Sequence, residues 1–128
     1  MSTKDMINYW VKSAAEDTIT AESLFDSKRY LPCLFYCHLF IEKILKAHIV
    51  KKNKQVAPFG HKLSRLAKFT QLKFSTLQLD LLDDLTAFNI KARYEDYKFV
   101  MYQKANKIYT QKYLKLAKEL YLWLKNQL

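Results

Sequence analysis

One glycine and two prolines in 128 residues constrain this chain more than any other count. Loops that cradle phosphate use several glycines so that backbone N–H groups can approach the anion. Neither a P-loop nor a dinucleotide-binding fingerprint fits such a chain. Sandwiches and barrels need frequent turns, most of them built on Gly, Pro, Asn or Asp, so those classes are excluded as well. What remains is an all-α fold. Half of the residues are hydrophobic and 27% are charged. A chain of this length and composition is expected to form one domain, residues 1–128, whose core needs no disulfide or metal to fold.

The 3.6-residue apolar period picks out five helices. The first runs from about Lys4 to Ser27, with Ser2 or Thr3 as its cap. The second runs from about Leu31 to Lys52, with Pro32 in its first turn. It is apolar nearly all round, as suits a central helix. Asn53–Gly60 reads as a loop, and His61–Thr70 as a short third helix. The fourth covers Thr76–Ile90 behind a Ser75 cap, and the fifth Lys104–Asn126. Residues Lys91–Gln103 lose the period and read as a long connection. Four long helices and one short one with brief connections predict an up-and-down bundle.

The 22 basic residues outnumber the 12 acidic ones, giving a net charge of +10. The excess is unevenly spread. No acid lies between Glu42 and Asp80, where nine basic residues stand, and a second acid-free stretch from Tyr97 to Lys118 holds six lysines. Such stretches favour nucleotide or RNA phosphates, acidic proteins or anionic surfaces as partners. They also serve simply to keep a protein soluble. The N-terminus carries no secretory pattern. The apolar run Tyr30–Val50 is broken by His38, Glu42, Lys43 and Lys46, too many polar groups for a membrane span. A cytoplasmic protein without membrane contact is expected. Cys33 and Cys37 are then reduced thiols rather than a disulfide.

Few residues invite chemistry. Cys33, Cys37, His38, His48 and His61 lack zinc-site spacing, so no metal and no cofactor are expected. His38, Glu42 and Lys46 stand at i, i+4 and i+8 along the second helix, with Lys43 beside them. Either Glu42 pairs with Lys46 at a solvent-facing edge, or these groups line a polar groove able to hold a phosphate. After the fourth helix comes Ala92-Arg93-Tyr94-Glu95-Asp96-Tyr97. Arg93 suits bidentate phosphate contact and Tyr94 suits stacking on a base. Alternatively, Arg93 pairs with Glu95, Asp96 or the acids of residues 80–84 and tethers a loop.

Taken in order, these residues resemble the HEPN-domain family (higher eukaryote and prokaryote nucleotide-binding), in particular its small prokaryotic members. The resemblance runs through Trp10, Ala14, Asp17, Ala21 and Leu24, then Tyr30. It continues through Cys33-Leu34-Phe35-Tyr36-Cys37-His38-Leu39-Phe40-Ile41-Glu42-Lys43-Ile44-Leu45-Lys46-Ala47, His61-Lys62-Leu63 and Ala92-Arg93-Tyr94-Glu95-Asp96. It implies a helical bundle, often dimeric, working with a minimal nucleotidyltransferase in toxin–antitoxin-like pairs. Many such proteins are metal-independent ribonucleases with an Arg-x(4–6)-His motif. Arg93 matches the arginine, but positions 98 to 100 are Lys98, Phe99 and Val100. The motif histidine is absent.

Metal-free RNA cleavage needs a group that moves a proton near neutral pH, a task for histidine rather than an ordinary lysine. The expectation is therefore a homodimeric binding module rather than an active ribonuclease. Its ligand residues would be Arg93, Tyr94, Asp96, Glu42, Lys43 and Lys46. A ribonuclease using Arg93 with Lys98, His38 or His61 as proton carrier is the first alternative. A structural protein-interaction domain is the second.

Overall fold

The computed structural model describes residues 1–128. The chain forms six α-helices: α1 (Thr3–Asp26), α2 (Tyr30–Asn53), α3 (Leu63–Thr70), α4 (Thr76–Arg93), α5 (Glu95–Lys104) and α6 (Lys107–Lys125). Their starts follow from local side chains. Ser2 accepts the Asp5 N–H while the Asp5 carboxylate accepts the Ser2 N–H, a reciprocal cap that satisfies two orphan donors. Ser75 and Gln78 do the same for α4, and Asn106 caps α6 through the Tyr109 N–H.

With one glycine to spend, the chain ends its helices differently. Lys54 and Gln71 close α2 and α3 in the left-handed conformation that glycine usually takes. Each costs about 1 kcal/mol of local strain. The three-residue link Ser27–Arg29 makes α1 and α2 antiparallel neighbours.

Helix α2 is the axis of the bundle and packs against all five others. Phe40, Ile41, Ile44 and Leu45 are fully buried along it. A helix surrounded on all sides needs no polar face, which is why its sequence shows almost no amphipathic bias.

Two expectations need correction. The stretch read as a long connection is helical: α4 runs on to Arg93, only Tyr94 intervenes, and α5 follows. There are thus four long helices and two short ones. Helix α5 lacks an apolar stripe because Met101 is its single buried residue. Its acids Glu95 and Asp96 in the first turn and Lys104 in the last turn favour it through the helix dipole. Second, the polar edge of α2 does not face solvent. His38, Glu42 and Lys46 are all buried. No helix is long and apolar enough to cross a membrane.

Candidate functional site

The buried polar groups of α2 need partners, since an unpaired charge there costs several kcal/mol. Glu42 supplies them. Its Oε2 accepts from Lys46 Nζ at 3.2 Å, and its Oε1 accepts from His61 Nδ1 at 2.8 Å. His61 stands just before α3, nineteen residues away in sequence, and its side chain is half exposed.

Beneath it, His38 is fully enclosed. Its Nε2 donates to the His61 carbonyl at 2.7 Å, and its Nδ1 accepts from the Asn89 side-chain amide at 3.3 Å. That pair of bonds fixes one neutral tautomer. Burial pushes the His38 pKa down, opposed by the His61 carbonyl and Glu42 and reinforced by the neighbouring His61 and Arg93. His38 therefore holds the His61 backbone in place from below, as a neutral ring. With Nδ1 committed to the carboxylate, the His61 imidazole keeps Nε2 for solvent, and that nitrogen has no partner within the chain.

Arg93, the last residue of α4, is exposed, and its guanidinium makes neither a hydrogen bond nor an ion pair within the chain. The tether to Glu95, Asp96 or the acids of α4 does not form. Its guanidinium lies 5.8 Å from the centre of the Phe35 ring instead, a cation–π contact that orients it without neutralising it. Two depressions meet at this residue. One, of about 390 Å³, is lined by His61, Lys62, Thr86, Asn89, Ile90, Arg93 and Tyr94. The other, of about 240 Å³, is lined by Arg29, Leu31, Pro32, Phe35, Ala92, Arg93, Lys98 and Tyr102.

Neither is lined by a carboxylate, and Arg29, Lys62, Arg93 and Lys98 give both a cationic lining. A third depression, about 400 Å³ between α4 and α6, contrasts with them. Asp80, Asp84 and Glu119 outnumber the one cation, Lys112, in its lining beside Leu81, Tyr113 and Trp123, which disfavours an anion.

The six residues picked out by sequence separate in space. Arg93 and Tyr94 share the first depression, and Glu42 reaches it through His61. Lys46 is enclosed between Glu42 and the Trp10 ring, whose centre lies 5.1 Å from its Nζ. Lys43 pairs with Asp17 of α1 at 2.7 Å. Both lysines are thus committed to carboxylates and lie among the α1 contacts rather than in the cleft. Asp96 lines neither depression and stands exposed in the first turn of α5.

Sequence alone gives Lys62 no site role and offers His61 as a metal-ligand candidate without zinc spacing or as a substitute proton carrier. Its bond to Glu42 joins distant segments, so no spacing announces it. Cys33 and Cys37 are buried free thiols. Burial, then the contact with Cys33, pushes the Cys37 thiol well up, away from the thiolate a nucleophile requires. No group of three or more His, Cys, Asp or Glu side chains converges as a metal site would require.

Comparison with known proteins adds three findings. The family model of the HEPN domain matches residues 7–127. Among solved structures, TT1696 from Thermus thermophilus shares the fold with a TM-score of 0.82 at 17% identity, covering 95% of this chain and 98% of that one. No curated protein matches the sequence.

Proposed function

This chain belongs to the HEPN-domain family, and from that premise we propose that the Arg93 cleft binds the phosphates of a nucleotide or RNA. One observation carries the reading: an exposed guanidinium without an acidic partner, at the junction of two depressions that no carboxylate lines. Arg93 offers paired N–H donors to a phosphate, Lys62 and Lys98 add charge on either side, and Tyr94 offers a ring to a base. In this reading the module acts as a homodimer and with a minimal nucleotidyltransferase as its protein partner.

Fluorescence anisotropy with labelled RNA and labelled ATP tests it. Binding should weaken steeply with salt, and Arg93→Ala should lower the salt slope by about one phosphate contact. Salt-insensitive binding, or an unchanged slope in Arg93→Ala, refutes it.

A second reading is favoured by His61. Its Nδ1 is held by a buried carboxylate and its Nε2 is unengaged in the cleft that Arg93 lines. This arrangement suits a general base next to an anion clamp. His61 would take the proton of a ribose 2′-OH, whose oxygen attacks phosphorus. The P–O5′ bond breaks, and the leaving oxygen takes a proton from water. The products are a 2′,3′-cyclic phosphate and a 5′-hydroxyl. EDTA-insensitive RNA cleavage lost in both His61→Ala and Arg93→Ala is the expected outcome. RNA that stays intact with the wild-type protein ends this reading and leaves the binding site standing.

A further inference from the structure

The loop between α2 and α3 pushes its two large apolar side chains into solvent. Phe59 is 93% exposed and Val56 74%. The backbone beneath the ring is fixed. Arg65 Nη1 donates to the Phe59 carbonyl at 3.1 Å, and Gly60 adopts φ +124°, a conformation that favours glycine. A Cβ at position 60 would also come within 3.3 Å of that same nitrogen. The aromatic ring is therefore held outward at the tip rather than laid against the bundle.

Its surroundings are cationic. Lys52, Lys54, Lys62 and Arg65 flank the loop, none of them within ion-pair distance of a carboxylate, and no acid lies between Glu42 and Asp80. The loop also runs directly into the cleft, since His61 follows Gly60. A chain covers at most about 3.6 Å per residue, so the Phe59 and His61 backbones lie within about 7 Å of each other. A flat apolar ring, unpaired cations around it and a cation-lined cleft beside it fit one class of ligand, which alternates aromatic faces with phosphates.

We propose that the Phe59 loop is a stacking platform for single-stranded nucleic acid. One base lies on Phe59 while a neighbouring phosphate occupies the cleft of Arg93, His61 and Lys62. The inference rests on the cleft being a phosphate site and narrows its ligand to a strand rather than a free mononucleotide. Two apolar side chains bury too little area to anchor a lipid surface, whereas a single stacked base contributes a large share of strand affinity.

Anisotropy with a labelled single-stranded 2′-O-methyl oligoribonucleotide of about 12 nucleotides, a length that exceeds one platform, tests it on the full chain. This probe cannot be cut at the 2′ position. Phe59→Ala should weaken strand binding roughly 5- to 150-fold and leave labelled ATP affinity unchanged. Phe59→Trp should restore strand binding and Phe59→Leu should not. Unchanged strand affinity in Phe59→Ala, with loss in Arg93→Ala, overturns the platform while the cleft survives. If neither substitution matters, both fall. Full binding by Phe59→Leu, or wild-type protein that binds phosphatidylserine vesicles but not the strand, overturns stacking in favour of plain apolar insertion.

Discussion

Replacing Glu42 with Ala tests the buried centre of the bundle. Glu42 is 5% exposed and Lys46 8%, and the carboxylate is the only acidic group paired with that ammonium. Removing it leaves Lys46 enclosed and uncompensated, a loss worth about 3–5 kcal/mol. The Trp10 ring at 5.1 Å offsets about 2 kcal/mol of this, as a desolvated cation–π contact does. For a domain of 128 residues, the net loss should lower the melting temperature by about 4–12 °C.

Lys46→Met should cost less, because Glu42 keeps His61 as a partner. The double variant should recover most of the Glu42→Ala loss, since no orphan charge remains. Urea unfolding followed by circular dichroism gives all three values and the coupling between the sites. A Glu42→Ala cost below about 1 kcal/mol refutes the buried-pair account, because an exposed pair is worth no more than that. So does a double variant no more stable than the single one.

Acid should destabilise the fold through two histidines. Burial lowers the pKa of both His38 and His48 from 6.5, so below that value the unfolded chain binds protons that the native state refuses. Unfolding free energy should then drop as pH falls from 7 to 5, and His38→Gln should flatten the slope. A stability independent of pH over that range contradicts it. Ser75→Ala removes the reciprocal cap of α4 and should cost about 1 kcal/mol in chemical denaturation. Leu82→Ala, at a fully buried site on α4, should cost about 2–5 kcal/mol in the same assay. In alkali, burial and the hydrogen bond to Asp84 hold Tyr113 above the ordinary phenol value of 10.0. A late rise in tyrosinate absorbance should therefore vanish in Tyr113→Phe.

Where apolar residues recur at helical spacing, the amino-acid order already contains the fold. Ser75 announces α4, and the all-round apolar character of Leu34 to Ile49 announces a central helix. Helix α5 escapes this reading because Met101 alone anchors it. A single contact leaves no period to detect. Lys46 misleads for a different reason: i, i+4 pairing with Glu42 is the habit of exposed faces, and only the packing of α1 over it makes the pair buried.

The candidate site divides along the same line. Arg93 and Tyr94 stand out as local chemistry between aromatic and acidic neighbours. The bond from His61 to Glu42 depends on the α2–α3 loop folding back onto α2, which no local pattern encodes. Lys43 looks identical to a ligand residue in sequence and turns out to be matched to Asp17.

The central claim is that Arg93 lines an anion cleft with His61 and Lys62. Nitrogen-15 NMR of the arginine side chains and backbone amides during titration with ATP tests it most directly. The account predicts saturable shifts at the Arg93 side chain and at His61, Lys62 and Tyr94, with Lys43 and Asp17 unmoved and the response lost in Arg93→Ala. Shifts centred on Lys43 and α1, or none at Arg93 at saturating nucleotide, would contradict it.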